Sequence, residues 1–283
     1  MNRVVHFAIP GDLESQTGGY AYARHLIEQL PQHGWTAEVI ALDDSFPNPT
    51  ADAIDAAKSP LVALQANQPL IIDGLAYGAF PAKLTNAIIA PILALVHHPL
   101  ALETGLAPEA ADGHRAREQA ALAAARGVVA TSAHTAEVLV GEYGVKPASL
   151  TVAQPGITQR AANQPVGDEP LILSVGTVTR RKAPDHLIEA LNQLTDLPWR
   201  AVWCGDTGSD PVFFQAVQQQ LEQAGIAERV SFSGIASPDE LAQLYQQAYL
   251  FALPARYEGF GMAMADAVCC GLPVVGYDAG AVS

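Results

Sequence analysis

The stretch Arg256-Tyr257-Glu258-Gly259-Phe260-Gly261-Met262-Ala263-Met264-Ala265-Asp266 decides the fold of this 283-residue chain. It follows an apolar run, residues 250–253, that predicts a strand, and it leads into residues 263–270, whose composition predicts a helix. Gly259 and Gly261 remove side chains where the amides of a helix start could approach a phosphate. Glu258 and Asp266 lie eight residues apart, a spacing of about two helical turns, so we expect Glu258 at the mouth of the helix and Asp266 two turns in, on a similar face.

Acidic residues flanking bare amides suit a sugar nucleotide, because carboxylates accept from sugar hydroxyls and amides donate to a diphosphate. From Glu258 to Val275 the sequence reads E-G-F-G-M-A-M-A-D-A-V-C-C-G-L-P-V-V. It resembles the Glu-x7-Glu signature of the retaining family 4 glycosyltransferases, which have the GT-B fold. Asp266 stands where that family normally has Glu, and its side chain is one methylene shorter. Taken alone, the turn could also be an ordinary strand–turn–helix with a capping acid.

Apolar runs that predict strands alternate with helix-period segments along the whole chain. The candidate strands are residues 4–9, 37–41, 70–72, 92–96, 128–130 and 150–153, and then 171–175, 201–204, 230–232, 250–253 and 274–276. This alternation predicts an α/β protein with parallel sheets covered on both faces. The polar segment 158–170 predicts a linker. We therefore expect two Rossmann-like domains, residues 1–165 and 166–283.

The resemblance implies how these two domains divide the work. The first would lie on the acceptor side, the second would bind the nucleotide sugar, and the two would face a central cleft. The family normally continues for several elements beyond Gly280, including a helix that packs on the first domain. The resemblance therefore implies that the second domain is incomplete and that the chain is C-terminally truncated.

Composition excludes several other classes of protein. The net charge of −14 argues against general affinity for nucleic acid or an anionic membrane. The cysteines are Cys204, Cys269 and Cys270, an odd number that argues against a disulfide framework and favours a cytoplasmic location. We expect no integral membrane segment, since no apolar run approaches about 18 residues. No zinc-like spacing or Asp-x-Asp occurs, so we expect no metal and no cofactor besides the donor substrate.

A basic loop follows the predicted strand at residues 171–175. Arg180, Arg181 and Lys182 lie where this strand leads into a helix, and the positive end of the helix dipole adds to their charge. This arrangement predicts an anion site, for which Arg is especially suited. The resemblance implies that Arg181 and Lys182 hold the donor diphosphate and stabilise the leaving group. The family's commonest Arg position falls on Thr177, so the match is to a subgroup with G-T-x-x-x-R-K. A solvated basic loop is the alternative.

Two features of the first half match the family's first domain. Gly18 and Gly19 open a helix after the first strand, and the resemblance implies that they lie beside the donor phosphates and the acceptor. His97 and His98 follow the strand at residues 92–96, where the family has a histidine near the donor sugar. Strand alternation slightly favours His98, and both stay candidates. A tight glycine loop and a structural histidine pair are the alternatives.

The remaining candidate site residues lie in the second predicted domain. Gly205 and Gly234 follow strands there and would line the base and ribose, unless they belong to plain βα loops. The resemblance implies that Glu258 contacts the donor sugar and Asp266 the ribose, with the amides of Gly259, Phe260 and Gly261 assisting.

The resemblance thus implies a hexosyltransferase that moves a sugar from a nucleotide sugar to an unidentified acceptor with retention of configuration. The alternatives are a GT-B protein that binds a nucleotide sugar without efficient catalysis, or a sugar-nucleotide epimerase.

Overall fold

The computed structural model of this chain describes residues 3–157, 161–164, 167 and 169–282. The chain divides into two compact units, Met1–Pro155 and Gly156–Ser283. Each is an α/β unit built on a single parallel sheet. In the part that the structure describes, no helix has the length and apolar character needed to cross a membrane.

The first unit alternates strands and helices. Its strands are β1 (Arg3–Pro10), β2 (Trp35–Leu42), β3 (Leu70–Asp73), β4 (Ile92–Val96), β5 (Gly127–Ala130) and β6 (Leu150–Val152). Its helices are α1 (Gly18–Gln29), α2 (Ala51–Val62), α3 (Gly74–Tyr77), α4 (Ala82–Thr85), α5 (Pro108–Ala124) and α6 (Ala133–Tyr143). The strand order is β2-β1-β3-β4-β5-β6, with all neighbours parallel.

The central strands of this sheet are buried on both faces. Phe7 of β1, Ile72 of β3 and Ala94 of β4 have no exposed surface, as expected where helices cover a parallel sheet on both sides. Because β1, β3 and β4 are adjacent and parallel in this sheet, their carboxyl ends are neighbours. Loops that carry polar residues emerge there.

The second unit repeats the pattern with fewer strands. Its strands are β7 (Leu171–Val175), β8 (Arg200–Cys204), β9 (Val230–Gly234), β10 (Leu250–Leu253) and β11 (Val274–Gly276). Its helices are α7 (Pro184–Asn192), α8 (Pro211–Ala224), α9 (Pro238–Gln247) and α10 (Met262–Cys269). The order β11-β10-β7-β8-β9 puts β7 and β10 side by side at the centre, so the loops that follow them emerge together.

All eleven candidate strands are confirmed within one or two residues at each end. The predicted domain boundary, between residues 165 and 166, lies outside the described residues. The structure divides the chain earlier, after Pro155. Asn163 shows the reason, because its side-chain amide donates to the carbonyls of Gln246 and Ala248, at 2.9 and 2.6 Å. This part of the predicted linker therefore packs on the second unit.

Candidate functional site

The signature stretch forms the loop between β10 and α10. Gly261 occupies the N-cap position of α10 with φ of 86°, a left-handed conformation that glycine adopts most readily. A glycine cap offers no side chain, so no side chain caps this helix, and the first-turn amides lack helical acceptors. The helix begins at Met262, so Asp266 lies only about one turn inside it, half-buried.

Glu258 is the buried acid of this loop. Its side chain is 8% exposed, and Lys182 Nζ donates to Glu258 Oε1 at 2.6 Å. Arg181 Nη1 lies 3.7 Å from the same oxygen and donates to the Tyr257 carbonyl at 3.0 Å. The structure thus brings together three of the predicted site residues, from loops 76 residues apart in sequence.

The basic loop is shaped by an unusual backbone conformation. Ala183, fully buried between Lys182 and the first residue of α7, has φ of 52°, which is strained for a residue with a Cβ. Arg180 turns away from the acid: its guanidinium stacks on Phe213 at 4.7 Å and lies 3.8 Å from Asp210. Two of the three cations therefore reach Glu258.

Glycines form a closely packed floor at the carboxyl ends of β7, β8 and β9. The Gly176 amide donates to the Cys204 carbonyl and the Gly205 amide to the Gly234 carbonyl, both at 2.8 Å. A Cβ on Gly205 would overlap the Gly176 carbonyl, and one on Gly176 would lie 3.1 Å from Lys182 Cε. Gly205 and Gly234 are the predicted glycines. Gly176 is one that the sequence analysis missed, although its place directly after β7 was a usable signal.

The loop after β8 is closed on itself beside this floor. Asp206 accepts from the Ser209 hydroxyl at 2.5 Å and from the Gly208 amide at 3.0 Å. These bonds, the Ser209 hydroxyl foremost, hold the pKa of Asp206 below its ordinary value. The carboxylate therefore stays charged, and its hydrogen bonds close the turn directly after Gly205.

The loop after β11 also packs on the acid and was missed by the sequence analysis. The Ala281 amide donates to the Glu258 carbonyl at 2.8 Å. A Cβ on Gly280, whose φ is 69°, would overlap the same carbonyl. The glycine is therefore needed for the close approach of this loop to Glu258. The small residues of Asp278-Ala279-Gly280-Ala281 were the available signal.

In the first unit, His97 is the histidine that meets the predicted glycine loop. A Cβ on Gly19 would lie 3.5 Å from two atoms of the His97 ring. His97 Nε2 lies 3.4 Å from Asp73 Oδ2, and the ring packs edge-on against Tyr22. His98, which strand alternation slightly favoured, has its Nε2 3.5 Å from Glu103 instead.

Gly18 and Gly19 form the first turn of α1, whose N-cap, Thr17, makes no side-chain cap. The next residue, Tyr20, donates to the Pro10 carbonyl at 2.7 Å. Its pKa is raised by burial first, and then by the charges of Asp73, Asp12 and Asp44. This edge of the first sheet is thus acidic, in contrast to the loop of Arg181 and Lys182.

A buried carboxyl lies beneath the histidine loop. Glu118 of α5 is 1% exposed and accepts from the Leu100 amide at 3.0 Å. Burial raises its pKa to about 8, although that hydrogen bond and Arg115 act in the opposite direction. Glu118 therefore fixes the 3₁₀ turn Leu100–Leu102 that follows His97-His98-Pro99.

Among the residues that the structure describes, no group of three or more His, Cys, Asp or Glu is placed to hold a metal ion. Cys204 and Cys270 are buried and Cys269 is exposed, and within the described residues none of the three forms a disulfide bond.

Comparisons with known proteins match this chain to glycosyltransferases. Residues 157–283 match the family model for group 1 glycosyl transferases. D-inositol 3-phosphate glycosyltransferase from Xylanimonas cellulosilytica is 31% identical over 192 residues, which are 62% of this chain and 46% of that protein. The enzyme of the same description from Nocardia farcinica is 33% identical over 65% of this chain and 44% of that protein. The matched region thus spans about half the length of these relatives.

Solved structures resemble almost the whole chain. Sucrose-phosphate synthase from Thermosynechococcus elongatus superposes with a TM-score of 0.81 at 20% identity, covering 99% of this chain and 82% of that one. Anabaena HepE, solved in complex with UDP and glucose, gives a TM-score of 0.72 at 18% identity, with 99% and 82% covered. The chain therefore has the two-domain α/β fold seen in GT-B glycosyltransferases, and its match to the group 1 glycosyl transferase model covers residues 157–283.

Proposed function

We propose that this protein is a glycosyltransferase that moves a hexose from a nucleoside diphosphate sugar to an acceptor, with retention of configuration. The observation that carries the proposal is the meeting of Lys182 and Arg181 with the buried carboxylate of Glu258. It occurs beside two uncapped helix starts, those of α7 and α10. Cations and helix amides suit a diphosphate, and a carboxylate at the same place suits sugar hydroxyls.

The leaving group explains why two cations are needed. Breaking the bond between the sugar and the diphosphate leaves extra negative charge on the phosphate oxygens. Lys182 and Arg181 neutralise that charge as it develops, and preorganised donors of this kind are often the largest single contribution to catalysis. The first-turn amides of α10 assist, with Gly259, Phe260 and Gly261 shaping the approach.

Glu258 and Asp266 have separate roles in the proposal. Glu258 accepts from the hydroxyls of the donor sugar, because it lies beside the cations that hold the diphosphate. Asp266, one turn inside α10, accepts from the ribose. Gly205 and Gly234 place backbone rather than side chains at the ends of β8 and β9, where the nucleoside binds in the proposal.

In the first unit we propose His97, rather than His98, as the histidine that serves the donor sugar. A Cβ on Gly19 would lie 3.5 Å from the His97 ring, and the Gly18-Gly19 turn would lie beside the donor phosphates and the acceptor. His98 Nε2 lies 3.5 Å from Glu103.

The relatives suggest where to look for substrates. HepE was solved with UDP and glucose, so UDP-glucose is the first donor to test. The curated relatives are named as D-inositol 3-phosphate glycosyltransferases, so inositol phosphates are the first acceptors to test. A protein that binds the donor without efficient turnover is the second candidate, favoured by Asp266, which replaces the family's Glu.

A thermal-shift screen of nucleotide sugars tests the proposal, since a ligand that binds only the folded state raises the melting temperature. We expect a nucleoside diphosphate and its sugar to raise it, and transfer with the matching acceptor to give a retained anomer by NMR. Binding without turnover would favour the non-catalytic alternative, an epimerised sugar the epimerase, and no shift with any nucleotide would contradict the proposal.

A further inference from the structure

Arg256 joins the two loops that carry the candidate site, although the proposed chemistry gives it no part. Its backbone amide donates to the Arg181 carbonyl at 2.7 Å. Its guanidinium donates to the Arg180 carbonyl and, through Nη2, to Asp185 Oδ2 at 2.7 Å. These bonds join the signature loop to the basic loop, in addition to the bonds that Arg181 and Lys182 make to Tyr257 and Glu258.

The same guanidinium reaches a third loop through a histidine. Arg256 Nη2 lies 2.8 Å from His186 Nε2, and His186 Nδ1 lies 3.0 Å from the Tyr277 hydroxyl. Arginine can only donate, so Nε2 accepts and Nδ1 carries the proton towards Tyr277. Tyr277 directly precedes the loop whose Gly280 and Ala281 pack on the Glu258 carbonyl.

We infer that Arg256 is the positioning residue that sets the Lys182–Glu258 pair. It contacts neither member of that pair in these bonds, and acts by fixing the three loops after β7, β10 and β11. Lysine could not replace it, because an ammonium lacks the fork of donors that reaches a carbonyl, a carboxylate and an imidazole together. The inference rests on the proposed function only for its effect on donor binding, since the pairing itself is a property of the free protein.

Lysine labelling tests the inference without any ligand. The full chain and its Arg256→Met variant are acetylated with limiting reagent, and the rate at each lysine is read by peptide mass spectrometry. Lys182 is 14% exposed and paired, so it should react slowly in the wild type. We expect the rate of acetylation at Lys182 to rise about fivefold in Arg256→Met. A change of this size corresponds to the loss of one hydrogen bond that stabilises the paired state of Lys182. The exposed Lys58, Lys83 and Lys146 should keep their rates.

Two further variants keep the test decisive. Arg200→Met makes the same change at an exposed position of the same unit and should leave Lys182 unchanged. Tyr277→Phe leaves Arg256 in place and removes only the hydroxyl that holds His186, so it should raise the Lys182 rate by a smaller factor. It decides the matter if Arg256→Met fails to fold. An unchanged Lys182 rate in a folded variant, or an equal rise at all four lysines, would overturn the inference.

A UDP titration separates this inference from the proposed function. If the wild type binds UDP, Arg256→Met should bind it about tenfold more weakly, because Lys182 loses its fixed position while the repelling charge of Glu258 remains. Unchanged affinity would count against Arg256. If the wild type binds neither UDP nor GDP, the donor assignment fails, while the labelling rates still decide whether Arg256 sets the pair.

Discussion

Replacing Glu258 with Gln should strengthen the binding of a bare nucleoside diphosphate. In the free protein Glu258 neutralises Lys182 at 2.6 Å and approaches Arg181 at 3.7 Å. A diphosphate that binds the same two cations must either displace the Glu258 carboxylate or bind close to it and be repelled by its negative charge. Gln keeps the shape and removes the negative charge, so the cations become available to the ligand.

The size of the effect follows from the distances. A phosphate oxygen bound to Lys182 at about 2.8 Å would lie about 5 Å from the Glu258 carboxylate. At that distance one like charge costs about 0.8 kcal/mol in bulk water and about 3 kcal/mol at an effective permittivity of 20. We therefore expect UDP affinity to rise at least about fourfold, while transfer falls because the sugar contact is weakened.

Isothermal titration of UDP into wild type and Glu258→Gln measures the effect. Glu189→Gln makes the same change of charge at an exposed position of α7 and controls for the general field of the protein. The gain should shrink as salt is added, because salt screens the repulsion. UDP affinity that is unchanged or weaker in Glu258→Gln would show that Glu258 does not restrain the cations.

Three other changes give separate predictions. Asp266→Asn should weaken both UDP and UDP-sugar binding, by roughly 1–2 kcal/mol each, because ribose is common to both; titrations that show a loss with only one ligand would contradict its role. His97→Ala should lower transfer at least tenfold while UDP affinity stays unchanged, whereas His98→Ala should change transfer less; steady-state kinetics of the two variants reverse or confirm this order. Glu118→Gln should be more stable than the wild type by an amount that grows as pH rises from 5 to 8. The reason is that the pKa of Glu118 is about 8 in the folded protein against an ordinary 4.5, so the wild type loses stability across that window, on the order of 3 kcal/mol. Urea unfolding at several pH values measures it, and parallel curves for the two proteins would contradict it.

Much of the fold could be predicted because it depends on local pattern. Strands such as β4 and β7 are short apolar runs between polar loops, and the structure gives them the predicted bounds. The start of α10 was also predictable, since Gly259 and Gly261 interrupt the chain just before an Ala-rich segment. The position of Asp266 relative to the helix start was less well predicted. Three loop residues separate Glu258 from Met262, where the helix begins, so Asp266 lies one turn inside the helix and not two.

The contacts between loops could not be read from the sequence. Arg256 meets Asp185 and His186 across about 70 positions, and such meetings depend on the order of strands in the sheet. The preference for His98 rested on strand alternation, but β4 ends at Val96, so alternation no longer applies to the residues that follow.

Binding of UDP and GDP to the wild type and to Lys182→Ala tests the central claim most directly. Lys182 pairs with Glu258 and lies close to Gly176. Its proposed role is to bind the donor diphosphate. We predict that the wild type binds one of the two nucleotides and that Lys182→Ala binds it about ten- to a hundredfold more weakly, the loss of one charge-assisted contact of roughly 1.5–3 kcal/mol. Equal affinity of the two proteins in isothermal titration would contradict the claim.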